Sequence, residues 1–246
     1  MGRMRLKERD LKFLKFCGEQ KFLFRNQVED WFGVSGKLEN VKSSERVARR
    51  QLARLKARGL LDDRMAEFKA SKTWTLTKAG IELLKDHGML REAVTSGGID
   101  PKTINHDQWV TQVRLAGLKR GLSWDWTAES ALRASSADRI PDAEVAFLSH
   151  KKGPMHIAVE VELTLKSEAR LKSIFTSYDA GEYALALYFV SSARLMESLI
   201  KVATLCSGKI YFCLISEFCD VSRDVAWRNA NDSFNNDKFI GGKNVF

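Results

Sequence analysis

Asp142 follows Pro141, and eighteen positions later Glu160 and Glu162 stand in the run Val159-Glu160-Val161-Glu162. In a strand successive side chains alternate between faces. Ala158, Glu160, Glu162 and Thr164 would therefore share one face, and Ile157, Val159, Val161 and Leu163 the other. Two carboxylates side by side repel, and their burial is costly without a cation or a hydrogen-bonding partner. If segments 139–148 and 155–164 pair as a hairpin, Asp142 comes close to Glu160. Three carboxylates gathered at one strand edge would suit Mg²⁺, a hard ion that prefers oxygen ligands. Asp142 and Glu160 are the candidate metal ligands. The same two glutamates could also form a solvent-facing strand surface matched by Lys or Arg on a neighbour, or an acidic site that binds a metal or a partner without cutting.

A second chemistry is written into residues 44–58. On a helical wheel Ala48, Leu52 and Leu55 fall on one side, and Arg46, Arg49, Arg50 and Arg54 fall on the other around Ala53 and Ala57. Two alanines inside an arginine face let the helix backbone approach a surface while the arginines reach outward. The major groove of DNA asks for that geometry, because Arg there pairs with guanine or clamps phosphates. A solvated helix face normally mixes signs, yet Glu45 is the sole acid between Val41 and Leu61.

The elements that must hold these residues can be read from pattern. Residues 6–17 carry a core-facing helix. Residues 25–32 predict a second, with Asn26 as a cap and a break at 33–36. The basic helix follows, with Ser43 or Ser44 as N-cap and Gly59 at its C-terminal stop. Leu60 to Arg64 and Lys72 to Thr77 predict a hairpin, the second piece reading as an edge strand, with a basic tip at 68–72. Thr77 caps a fourth helix, Lys78 to Asp86. The double glycine and proline of 95–101 mark a domain boundary. Downstream, the pattern is a helix at 103–120, strands near 122–128, 139–148 and 155–164, a helix at 166–180, a strand at 183–190, a helix at 192–206 and a strand at 209–215. That order implies a mixed sheet flanked by helices. The tail after Asn229 is polar and expected to be poorly ordered.

Charge follows the same division. The net charge is +9, and residues 1–100 hold 22 Lys/Arg against 14 Asp/Glu while residues 101–246 hold 18 against 17. An excess confined to one half is the footprint of a polyanion binder. No apolar run approaches the roughly 18–20 residues needed to span a bilayer. The first ten residues lack the apolar core of a signal peptide, which points to the cytoplasm. Cys17, Cys206, Cys213 and Cys219 form no CxxC pair and read as buried free thiols. His87, His106, His150 and His156 show no metal-ligand spacing. Gly241-Gly242-Lys243 lacks the strand and helix that a phosphate loop needs.

Residues 1–95 resemble the winged helix-turn-helix family in the basic helix, the Arg58-Gly59-Leu60-Leu61 that ends it, and Thr73-Trp74-Thr75-Leu76-Thr77-Lys78-Ala79-Gly80 after the hairpin. By that resemblance Arg46, Arg49, Arg50 and Arg54 are recognition-helix contacts, and Lys69 and Lys72 are wing contacts to phosphate or minor groove. Residues 96–246, with a core at about 102–215, resemble the PD-(D/E)xK nuclease-like superfamily in Pro141-Asp142, the paired acids and the element order. The nuclease pattern places a lysine where this chain has Glu162, and that lysine stabilises developing negative charge. Lys166 is near enough to swing back, so a cutting enzyme would use Asp142, Glu160, Glu162 and Lys166. The two halves together resemble the replication-relaxation family, with His106-Asp107, the Glu-Val-Glu-Leu-Thr strand and Tyr178 as further matches.

The expected fold class is therefore α+β to α/β, a winged helix followed by a mixed-sheet nuclease-like domain. Three functions follow. The first is a double-stranded DNA-binding regulator of a plasmid or mobile element, working as a homodimer and needing no cofactor for binding. The second is a Mg²⁺-dependent endonuclease targeted by the winged helix. The third is an interaction module of a larger DNA-associated assembly.

Overall fold

The structure is a computed structural model that describes residues 6–36, 41–66, 71–90, 99–122, 124–133, 139–149, 153–205, 209–230 and 233–235. The chain divides into two compact units, Met1–Thr111 and Gln112–Phe246. Both mix helix and sheet.

In the first unit, helices α1 (Glu8–Glu19), α2 (Arg25–Ser35), α3 (Val41–Ala57) and α4 (Lys78–Asp86) accompany strands β1 (Leu23–Phe24), β2 (Leu61–Ala66) and β3 (Ser71–Leu76). The strands form an antiparallel sheet in the order β1-β3-β2. β3 is thus the central strand, not an edge. Its alternation of Thr and large apolar residues reflects cover on both faces, and Thr73 and Thr75 are buried beside Leu76. β1 went unanticipated because two residues are too short to show a period. The core is aromatic: Phe13 lies 5.1 Å from Trp31 and 4.8 Å from Phe32 between ring centroids.

Two helix starts differ from expectation. The N-cap of α2 is Phe24, not Asn26, and the Gln27 side chain accepts the Phe24 N–H at 3.0 Å. α3 begins at Val41, so Ser43 and Ser44 lie within its first turn, where Ser44 is buried.

The join between α3 and α4 explains a motif of the sequence. Gly59 takes φ +68°, a left-handed stop that costs a glycine little. The Thr77 hydroxyl accepts the Gly80 N–H at 3.1 Å and donates to the Gly59 carbonyl. Thr77 N–H donates to the Leu60 carbonyl. A Cβ on Gly80 would run into that same carbonyl oxygen. The Arg-Gly-Leu helix end and the Thr-x-x-Gly helix start are therefore two halves of one contact. Thr77→Val removes both hydroxyl bonds and should cost about 1 kcal/mol or somewhat more, read as a lowered midpoint in urea unfolding.

The division between units falls inside α5 (Ile104–Lys119). Its first half is held by the first unit. Lys21 pairs with Asp107 at 3.1 Å, Gln27 donates to the Gln108 carbonyl at 2.9 Å, and Thr111 donates to Gln20 at 3.0 Å. Of the 95–101 break, residues 95–98 lie outside the described residues.

In the second unit, strands β4 (Asp125–Ala128), β5 (Ala143–Ser149), β6 (Gly153–Glu162), β7 (Leu185–Val190), β8 (Ile210–Leu214), β9 (Ala226–Arg228) and β10 (Ser233–Asn235) form one mixed sheet. Its order is β10-β9-β8-β7-β6-β5-β4. β6, β7 and β8 are parallel, and β5 meets β6 as the expected antiparallel hairpin. The parallel strands are joined by α7 (Glu168–Ala180) and α8 (Ala193–Ala203), as crossovers between parallel strands require. The short helices α6 (Glu129–Leu132) and α9 (Ile215–Cys219) were not legible in the pattern. The expected disordered tail is corrected in part, because β10 pairs with β9. Residues 236–246 lie outside the described residues.

One face of the sheet carries Ala158, Ala186, Tyr188, Val190, Ile210 and Phe212 against α7 and α8. On the other, Phe189 packs against Phe218 and Trp227. Cys17 and Cys213 are buried free thiols, Cys219 is partly buried, and Cys206 is outside the described residues. No helix among the described residues is long and apolar enough to cross a membrane.

Candidate functional site

On α3 the buried stripe is Ser44, Ala48, Gln51, Leu52 and Leu55, which face the first unit's core. That fixes the helix rotation and leaves Arg46, Arg49, Arg50, Ala53, Lys56 and Ala57 exposed. Among the described residues no carboxylate ion-pairs with Arg46, Arg49 or Arg50. Arg54 behaves differently. It turns to Asp10 on α1, a carboxylate that is 1% exposed, and forms an ion pair with it. The helical wheel assigned Arg54 to the arginine face because it sees one helix alone and carries no information about α1. Lys72 is exposed on β3 and pairs with Asp63 at 3.0 Å, and Asp63 also pairs with Lys56 of α3. The base of the β2–β3 hairpin is thereby tied to the basic helix through one aspartate. Lys69 lies outside the described residues.

The acidic residues of the second unit stand where β6 runs past the end of β5. The register pairs Ala143 with Val159, so Asp142 reaches the level of Glu160. Its Oδ2 accepts the Val161 N–H at 2.8 Å, and its carbonyl accepts the Glu129 N–H at 3.1 Å. The aspartate continues the ladder that β5 has stopped supplying. Glu160 and Glu162 share a face as their spacing implies, but it is the face covered by helix. They are 8% and 5% exposed.

Buried carboxylates need partners, and both glutamates have them. Arg139 donates Nη2–H to Glu160 Oε1 at 2.6 Å. The Tyr178 hydroxyl, from α7, donates to the same oxygen. The Arg139 guanidinium lies 5.5 Å from the centroid of the Tyr178 ring. Glu162 pairs with Lys166, four residues on. Burial pushes the Glu160 carboxyl up to about 7, helped by the charge of Asp142 and opposed by Arg139 and Tyr178. Burial and the Glu160 charge raise the Tyr178 and Tyr188 hydroxyls well above their ordinary range, so both stay protonated. A protonated Tyr178 donates to the Glu160 carboxylate.

The structure thus brings Asp142 close to Glu160, and Lys166 to Glu162. It does not assemble the three carboxylates as a ligand set. Among the described residues no group of three or more His, Cys, Asp or Glu is placed to hold a metal ion. Arg139 did not emerge from the sequence; the available signal was an arginine three positions before Asp142, in the segment leading into β5. Of the histidines, His156 pairs with Glu144 at 2.8 Å on the β5–β6 hairpin, and His106 sits beside Asp107, the residue that anchors α5 to Lys21.

No curated protein and no solved structure matches the chain. A family model described as replication-relaxation matches residues 14–185, a span that runs from α1 through the acidic strand and into β7. That span exceeds half of the sequence and includes both the basic helix and the Glu160 cluster, and on it the chain belongs to the replication-relaxation family.

Proposed function

We propose that this protein binds double-stranded DNA and acts in the replication or transfer of a plasmid or mobile element. In this reading the first unit is a winged helix. α3 enters the major groove through Arg46, Arg49 and Arg50, with Ala53 and Ala57 allowing close approach. The β2–β3 hairpin is the wing, with Lys72 as a contact to phosphate. Arg54 serves the α1–α3 contact first. The second unit is a nuclease-like scaffold that does not cut, and DNA binding needs no metal. A homodimer would set two such helices on half-sites about 34 Å apart, one turn of duplex. The protein would act in the cytoplasm, at the nucleoid or a plasmid.

The observation that carries the reading is the exposed α3 face. Three arginines with no carboxylate ion pair among the described residues surround two small residues, on the half of the chain that holds nearly all the excess positive charge. Long-range attraction to a polyanion follows from that asymmetry.

The test is incubation of the purified protein with supercoiled plasmid, with about 5 mM Mg²⁺, enough to fill a weak oxygen-ligand site, or with a chelator. Intact plasmid of retarded mobility is expected in both, with a shift that weakens steeply as salt rises. Metal-dependent nicking that disappears in Glu160→Ala would replace this reading with the endonuclease. A shift with no preference among duplex sequences would favour the assembly module.

A further inference from the structure

We propose that Arg139 and Lys166 are the resident counter-ions of the acidic site, and that Asp142, Glu160 and Glu162 hold sheet, helix and loop together rather than a divalent cation. The inference deepens the non-cutting reading of the second unit.

The chemistry of the donor set carries it. A Mg²⁺ or Mn²⁺ site needs several oxygen lone pairs converging on one point at about 2.0–2.2 Å. Here one oxygen of each carboxylate is already engaged by a protein donor. Glu160 Oε1 accepts from both Arg139 and Tyr178. Asp142 Oδ2 accepts the Val161 N–H. Glu162 Oε2 faces the Lys166 ammonium. Each carboxylate therefore has at least one protein donor on it, and two of the four donors are cations. Their side chains are 30% and 28% exposed, so both reach inward from the rim of the site.

The two cations also come from different places. Arg139 belongs to the segment entering β5, and Lys166 to the turn between β6 and α7. The charged contacts thus join the β5 entry, β6, the β6–α7 turn and α7. A guanidinium keeps its charge at every pH a protein survives, and it lies flat on an aromatic face. Arg139, on Tyr178, is a cation that no chelator can withdraw.

The full chain is titrated with Mn²⁺, free Mn²⁺ being read by electron paramagnetic resonance, and thermal unfolding is followed with and without the ion. DNA is absent, so failure here leaves the duplex-binding reading untouched. Wild type should show no Mn²⁺ bound at this site and no shift in its unfolding midpoint. Arg139→Ala should unfold at a lower temperature, bind about one Mn²⁺, and recover part of its midpoint when the ion is added. Arg139→Ala combined with Glu160→Gln should bind none. Lys166→Ala, which removes the other cation, is the second variant and should gain Mn²⁺ affinity through Glu162. Binding of Mn²⁺ by wild type that is lost in Glu160→Gln overturns the proposal. So does the absence of any gain in both the Arg139 and Lys166 variants.

Discussion

Replacing Arg46, Arg49 and Arg50 together with alanine should lower affinity for duplex DNA by about 100-fold or more at physiological salt, while leaving the fold intact. Each arginine that pairs with a base contributes about 1–3 kcal/mol, and each that neutralises a phosphate lowers the slope of log K against log salt by about 0.9. Three lost contacts would therefore reduce both the affinity and its salt dependence. Stability should barely move. All three side chains are exposed, and exposed substitutions away from specific contacts usually stay within about 0.5 kcal/mol. Fluorescence anisotropy with a labelled duplex at several salt concentrations, beside a thermal melt, makes both measurements. Unchanged affinity in the triple variant would remove α3 as the binding surface. Arg54 must be left out of this test. Its partner Asp10 is buried on α1, and Arg54→Ala would strand that carboxylate, so any lost affinity could come from a damaged fold.

Arg139→Ala should destabilise the second unit by several kcal/mol. Removing one member of a buried ion pair leaves the other charge uncompensated and costs about 3–5 kcal/mol. The lower part of that range applies, since 30% of the Arg139 side chain is exposed and water can enter behind it. The loss should also depend on pH, and its sign follows from Glu160. In the folded chain that carboxyl is already raised from 4.5 to about 7. A group raised on folding contributes its stability in full below its unfolded value and loses it as pH climbs through the folded one. Without Arg139 a charge that holds the carboxyl down is gone, so its pKa rises further. The gap between variant and wild type should stay constant from pH 4.5 up toward the wild-type folded value of about 7 and widen above it, where wild-type Glu160 has released its proton and the variant's has not. Adding Glu160→Gln removes the titrating group and should flatten that divergence. Melts of the three proteins across this range make the comparison, and a pH-independent gap between wild type and Arg139→Ala would show that Glu160 is not what the arginine neutralises.

These two experiments bear on residues that sequence treated unequally. The arginines of α3 were legible because their argument is local. A 3.6-residue period sorts a single helix into a core stripe and an outer face without knowledge of any neighbour, and the observed burial of Ala48, Leu52 and Leu55 follows it. The same locality explains the α4 helix, whose start at Lys78 was marked by the Thr77 hydroxyl and by Gly80. The order of strands and crossover helices from β4 to β8 was likewise carried by runs long enough to show a period.

What tertiary structure decided was the partner of each charge that pairs across distant segments. Arg54 sits on the helix wheel beside Arg50, yet Asp10 comes from forty-four positions earlier and draws it inward. The alternation of β6 placed Glu160 and Glu162 on one face, but a two-residue period cannot say which face a helix will cover. α7 covers the acidic one, and burial turns two repelling carboxylates from candidate ligands into groups that must be neutralised from within. Lys166 does so from four positions on, as its spacing implied, and Arg139 because the chain's path brings it there. The periods of backbone and side chain reside in the sequence itself, whereas the identity of a charge's neighbour depends on which distant segments the packed core sets side by side.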